Sequence, residues 1–388
     1  MGMRGWSKAP GAVVVALVAA ALLTGCGSEP AAHPSASAPA PAETTTAPAA
    51  PAAPTSRLGL ECADLVPAEL AAATVTAGLV VLPSAAAVLG GSPIDYAIEQ
   101  LGGIACAATD PTAAAPVEGV GPTVPGYTVL ILPDATEQYG RYAELYPGVT
   151  SGADALYGDS SGGACFGRGA ESSCTSSILV GSTWIAVALR GIDVDAAFSD
   201  DDVAVRVSPL IESIVRRVAA APAPGPLWTP AARAVALPDE CAGYGSADEV
   251  RSTFERAEEL WVGPAGGGGW SLSAGAWAMS GAQRCSWLLA GSDRGVLSVE
   301  ALPAGAWAYG RMTSLSAAGT LADRSEVSIP GVERASFGCA TATVTCALDA
   351  VIGGNWVRFS SSPSEGDPDL LRERLIQTAA AAAARLSG

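Results

Sequence analysis

Cysteine is the residue whose type and spacing point most directly to chemistry in this 388-residue chain. Beyond Cys26, eight cysteines form two sets, Cys62, Cys106, Cys165, Cys174 and Cys241, Cys285, Cys339, Cys346. The spacings are 44, 59 and 9 residues in the first set and 44, 54 and 7 in the second. Residues in such sets form disulfides, bind zinc or exchange electrons. Zinc favours CxxC pairs and histidine. The chain has no CxxC pair, and its one histidine, His33, lies in a proline-rich stretch outside both sets. The reading is four structural disulfides. Bridges confined within each set leave three pairings per set and nine in all. First with second and third with fourth is the preferred pairing, because a close pair suits a hairpin between neighbouring strands.

Nucleophilic chemistry finds no partner residues. Gly158-Asp159-Ser160-Ser161-Gly162-Gly163 resembles the GDSGG signature of serine proteases with one extra serine. That mechanism needs a base beside the serine. His33 stands elsewhere, and Lys8 is the only lysine. The same absences remove serine–lysine dyads, Schiff bases and cysteine–histidine pairs. The segment reads as a Ser/Gly loop. A hydrolase built on carboxylates alone needs two acids converging in a cleft, and no spacing singles out a pair. No catalytic residue and no cofactor are assigned. Asp193, Asp195, Asp200, Asp201 and Asp202 crowd an insertion peculiar to the first half. Oxygen-rich clusters can hold calcium, but there is no EF-hand spacing. The cluster reads as a solvated loop leading toward a helix N-terminus, and no metal is assigned.

Two features are candidate ligand surfaces. Gly266–Gly269 is flanked by Trp261, Trp270 and Trp277, and a glycine-rich loop among indoles can present aromatic faces to a glycan or peptide. The alternative is that these rings fill a core. Tyr139-Gly140-Arg141 recurs as Tyr309-Gly310-Arg311, and Tyr139, Arg141, Tyr309 and Arg311 are candidates for a repeated contact. The preferred account of the tripeptide is structural, with the glycine allowing close packing and the arginine satisfying a helix end or an internal carboxylate.

These residues must be positioned by a duplicated unit. Trp184 and Trp356 each stand ten residues beyond the fourth cysteine of their set. Leu132-Pro133 precedes Tyr139 by the interval that separates Leu302-Pro303 from Tyr309. So many coincidences in one order mean duplication. Each copy mixes helix and strand. Ser246 and Glu249 make a capping box for a helix presenting Val250, Phe254, Ala257 and Leu260 on one face. Ile178–Leu189 and Val296–Leu302 read as strands. Each copy closes with a proline-started helix, from Pro209 and from Pro368, the second capped by Asp367. The expected class is α+β: two duplicated domains, each an antiparallel sheet covered by helices and stapled by two disulfides.

Composition sets the exclusions. Hydrophobic residues make up 49% of the chain and charged residues 15%, which excludes global disorder. The formal charge is −17, and beyond Lys8 there are 19 arginines against 38 acids. Such a surface repels phosphate, so no nucleic-acid partner is expected.

The N-terminus gives an address. Arg4 and Lys8 precede the 13-residue apolar run Gly11–Leu23, too short to span a bilayer and of the length of an export signal. Leu23-Thr24-Gly25-Cys26 resembles the lipobox of bacterial lipoproteins. The resemblance implies removal of signal peptide 1–25 and acylation of Cys26 by diacylglyceryl and fatty acyl groups such as palmitate. Two or more acyl chains anchor stably. Residues 26–56 then form a tether; from 27 to 56, 26 of 30 residues are Ala, Pro, Ser or Thr. It reaches up to roughly 90 Å. The first repeat is expected over 57–221, a Pro-rich linker over 222–226 and the second repeat over 227–388.

Early C…C pairs, later close C…C pairs followed by Trp, and Cys285-Ser286-Trp287 resemble cell-envelope lipoproteins of high-GC Gram-positive bacteria and the extracellular sensor domains of their receptor kinases. Copy one departs with Cys106-Ala107-Ala108. The resemblance implies a non-enzymatic binding or sensor-like protein on the outer face of the cell membrane. Its partners would be the membrane, through the lipid, and an envelope protein, glycan or lipid. A carrier of an apolar envelope lipid in a domain cavity is the alternative, and a hollow domain would distinguish it.

Overall fold

A computed structural model gives the fold, describing residues 52–387 apart from 85, 90, 112–123, 167–171, 193–199, 231–233, 266–268, 319–322 and 341–344. Cys26, the signal segment, nearly all of the tether, Asp193, Asp195 and Gly266–Gly268 therefore lie outside the described residues.

The first half contains helices α1 (Cys62–Leu65), α2 (Ala68–Thr74), α3 (Ala86–Leu89), α4 (Ala97–Gln100), α5 (Thr136–Leu145) and α6 (Asp200–Ala219). Its strands are β1 (Val80–Val81), β2 (Ile104–Thr109), β3 (Gly126–Leu132), β4 (Thr150–Ser151), β5 (Ser160–Phe166), β6 (Ser173–Val180) and β7 (Thr183–Arg190). The second half contains α7 (Ala247–Thr253), α8 (Leu272–Ser280), α9 (Ala306–Ala317) and α10 (Pro368–Leu386). Its strands are β8 (Leu260–Pro264), β9 (Gln283–Leu289), β10 (Gly295–Leu302), β11 (Ser325–Glu326), β12 (Arg334–Ala340), β13 (Thr345–Ile352) and β14 (Asn355–Ser361).

Each half builds one seven-stranded antiparallel sheet, ordered β1-β2-β3-β7-β6-β5-β4 and β8-β9-β10-β14-β13-β12-β11. The orders are the same permutation, and so are the central registers. Leu132 pairs with Trp184 as Leu302 pairs with Trp356. Cys165 faces Cys174 as Cys339 faces Cys346. The disulfides are Cys62–Cys106, Cys165–Cys174, Cys241–Cys285 and Cys339–Cys346. The expected pairing holds, and each close pair bridges a hairpin.

Alternation along the strands gives each sheet two apolar faces. One face of the first sheet, with Cys106, Val129, Ile178 and Val187, is closed by α6. The matching face of the second, with Cys285, Val299, Leu348 and Val357, is closed by α10. The remaining faces share one core, in which Leu132, Tyr139 and Trp184 join Leu302, Tyr309 and Trp356. This shared layer is the seam between the repeats. Its helical elements are exchanged: the 3-10 turn Pro93–Tyr96 of the first repeat packs on β10 and β14, while α8 of the second packs on β3 and β7. Counted from Cys106 and Cys285, the two segments are equivalent. Ser92 corresponds to Ser271, the residue before each helical turn, and Gly102 (φ 71°) corresponds to Gly281 (φ 71°).

Three local expectations are corrected. The stretch Ile178–Leu189 is two strands, β6 and β7, turned at Gly181 with φ 58°. The helix capped by Ser246 ends at Thr253, so Ala257 and Leu260 leave the helical face and Leu260 opens β8. The last helix of the first repeat starts at Asp200 with Pro209 inside it, because the missing N–H costs one bond while buried Val203, Val207, Leu210, Ile211 and Ile214 hold the helix to the sheet. The helix from Pro368 starts as expected, with the Asp367 side chain accepting from the Leu370 N–H.

Candidate functional site

The two repeats differ where side chains meet beneath the closing helix. In the second, Phe337 of β12 sits opposite Leu348 of β13 under α10. The equivalent pair in the first is Gly163 opposite Ser176. The loss of two large apolar side chains leaves a groove of about 360 Å³ between β4–β6 and α6. Its walls include Leu156, Tyr157, Ala204, Val207 and Ile211, with Thr150, Ser161 and Asp154 as polar groups. Tyr157 is fixed over α6 by a 2.6 Å hydrogen bond between its hydroxyl and that of Ser208. Leu156 is 71% exposed although it lines the groove, so an apolar side chain stands at the mouth. A pocket of this size falls within the range used for small ligands, whereas packed cores leave few voids larger than a water.

A second asymmetry lies on the seam face. Asp349, fully buried in the second repeat, accepts from Arg358 Nε at 2.7 Å and from the Trp356 indole N–H at 2.8 Å, and pairs with Arg324 at 2.7 Å. Burial alone would raise its carboxyl, but the Arg324 and Arg358 guanidiniums outweigh it and hold the group below its ordinary value. Glu300 stands opposite Arg358 on β10. In the first repeat the positions of Asp349, Arg358 and Glu300 are taken by Ser177, Ala186 and Leu130. There the sheet bears a hollow of about 150 Å³, walled by Thr128, Leu130, Tyr142, Thr175, Ser177 and Ala186.

The charged cluster also meets the exchanged segment. Arg358 Nη2 donates to the Gly91 carbonyl at 2.8 Å. Asp95, four residues on, caps its own turn by accepting from the Ser92 N–H at 2.8 Å. Burial, and next the Glu300 carboxylate, push the Asp95 carboxyl up to about 7. Between the ordinary carboxyl value of 3.8 and about 7, the native state therefore holds a proton that the unfolded chain has released. Stability should fall as pH rises from about 4 to about 7 and level off above that. Asp95→Asn keeps an acceptor for Ser92 and mimics the neutral acid. It is expected to gain on the order of 1–3 kcal/mol at pH 8 and nothing below pH 4, read from urea midpoints across pH. An unchanged pH slope in the variant would rule this out.

The other sequence candidates take places along the seam. Tyr139 and Tyr309 are buried in the shared core, packed edge-on against Trp184 and Trp356. The Trp277 indole donates to the Ile94 carbonyl at 3.0 Å and that of Trp270 to the Gln138 carbonyl at 2.8 Å, each across the repeats. The Arg141 guanidinium lies 3.8 Å above the Trp270 ring, and Arg311 pairs with Glu99. Burial raises the Glu99 carboxyl, and Arg311 counters it. Trp261, on β8, is half exposed and stands apart from that seam core. The protease-like segment enters β5, where Ser160 Oγ donates to the Thr150 carbonyl and Ser161 Oγ accepts from the Tyr157 N–H. It is strand from Ser160 onward rather than loop. Asp200–Asp202 open α6.

Sequence reasoning missed both hollows and the Asp349 cluster. The signals existed: one aspartate inside the apolar run Thr345–Ile352, and glycine and serine where the aligned second copy has Phe337 and Leu348. Comparison with protein-family models, with curated proteins and with solved structures gives no match.

Proposed function

We propose that the protein is a lipid-anchored extracytoplasmic binding protein of the cell envelope, held through Cys26, whose first repeat takes the acyl chain of an envelope lipid. It binds rather than catalyses. The observation that carries this reading is the groove of about 360 Å³ under α6, apolar along Leu156, Val207 and Ile211 and present in one repeat where the other has Phe337 and Leu348. The export signal, lipobox and tether of the sequence support the address.

The groove can be closed with the second repeat's own residue. Ser176→Leu restores the side chain that Leu348 supplies at the equivalent position. Binding of N-phenyl-1-naphthylamine, followed by its fluorescence and displaced by dodecanoate, is expected to weaken about tenfold or more in Ser176→Leu, as filling a pocket forfeits roughly 1.4 kcal/mol or more of apolar contact. Equal affinity in parent and variant would overturn the assignment of the ligand to this groove.

A further inference from the structure

We propose that the β8 end of the second sheet is a second binding site, where the exposed indole face of Trp261 stacks a neutral sugar ring of an envelope glycan. The site goes beyond the acyl groove: it lies in the other repeat and shares no residue with it.

The ring is held in an unusual way. Trp261 is 50% exposed, although large aromatic side chains are mostly covered. Its Cζ2, Cη2 and Cε2 atoms stand where a Cβ on Gly263 would be, which needs the face of the ring, not its rim, against the strand. Residues two apart share a strand face. The indole therefore lies along β8, one face down on Gly263, which it buries, and the other turned outward. Only glycine at 263 permits this.

Register brings polar groups beside the ring. Gly263 pairs with Ser286, and Ser286 with Ser298. Two residues along the same face, Arg284 stands opposite Glu300. The Arg284 side chain is exposed, its Nε is 3.4 Å from the Glu300 carboxylate, and no described residue accepts from its Nη groups. In the first repeat the positions of Trp261, Gly263, Arg284 and Glu300 are taken by Val80, Leu82, Ala105 and Leu130. Leu82, Ala105 and Leu130 belong to the seam core there. The second repeat has an outward indole and an ion pair where the first has a covered apolar corner. A solvated face needs no indole, and a packing ring would not be half exposed.

These groups define the ligand. The electron-rich face of an indole attracts the polarised C–H groups on the flat side of a pyranose. The rim of that ring carries hydroxyls that both donate and accept. One hydroxyl accepts from Arg284 while its neighbour donates to Glu300. The pair sums to zero charge, which suits a neutral sugar. A proline-rich peptide such as residues 27–56 could stack on the same face, but its prolines bring no N–H to Glu300.

The test uses the intact chain labelled with 15N, observing indole N–H resonances during titration with maltotetraose, cellotetraose, mannotetraose and chitotetraose. Trp261→Phe identifies the Trp261 resonance. At least one sugar is expected to shift it saturably. Trp261→Ala, at an exposed position, should then weaken binding of that sugar about tenfold or more by calorimetry. Gly263→Ala keeps the indole but lifts it from the strand, and should weaken binding about fivefold. Arg284→Gln should weaken it about threefold or more through loss of a charge-assisted hydrogen bond. Ser176→Leu, which fills the acyl groove, should leave sugar binding unchanged. The proposal is overturned if no sugar moves the Trp261 resonance, if Trp261→Ala and Arg284→Gln bind as the parent does, or if a peptide of residues 27–56 binds there more tightly than all four sugars.

Discussion

Asp349→Ala is expected to cost about 3–5 kcal/mol of unfolding free energy, since removing one member of a buried ion cluster strands the others without compensation. Arg358 and Arg324 would keep their charge in the core of the second repeat, and the Trp356 indole would lose its acceptor. Asp349→Asn keeps an oxygen for the indole but not the charge, so it should fall between parent and alanine variant. Urea unfolding would show it as a lowered midpoint with unchanged slope. A loss below about 1 kcal/mol, the size of an exposed pair, would mean that the cluster is hydrated. The same carboxylate sets an acid limit. Its value is depressed in the folded state, so its contribution is present above the unfolded value of 3.8 and is lost as pH falls through the lower, folded one. Asp95 has the opposite sign, losing stability as pH rises toward about 7.

Cys241→Ser with Cys285→Ser should lower stability by about 4 kcal/mol, the chain-entropy value for a loop of this length. The bridge spans 44 residues and ties the start of the second repeat to β9. Cys339→Ser with Cys346→Ser opens a loop of only 7 residues between strands already paired in register. That variant should lose about 2 kcal/mol. Denaturant melts of both variants decide the matter: a larger loss from the short bridge would show that loop length is not what governs these disulfides.

How much of this was legible depended on whether a signal was repeated. The fold class and the bridges could be read because two copies wrote the same cysteines, Leu-Pro pairs and tryptophans at matched intervals. Boundaries set by tertiary contact could not. The turn at Gly181 is one glycine inside a branched, apolar run, and only strand pairing reveals it. Pro209 marks a helix start by local rules, but burial of the residues on either side carries the helix through it. Val250, Phe254 and Leu260 have helical spacing, yet Glu255 adopts φ 52° and Leu260 belongs to a sheet edge. The candidate sites were hidden for another reason: a hollow is made by small residues, and Gly163, Ser176 and Ala186 have no chemistry of their own to attract notice. They become visible only against Phe337, Leu348 and Arg358 of the other copy.

The exchange of Pro93–Tyr96 and α8 across the seam has the geometry of a symmetric homodimer. In such a dimer every substitution is written twice, and hollowing one core hollows its mate. Joining the two copies in one chain removes that constraint. The second repeat can then keep a full core and a buried ion cluster while the first gives up Phe, Leu, Asp and Arg for space. Covalent linkage here is a licence for division of labour: one half supplies rigidity, the other vacancy, and neither has to do both.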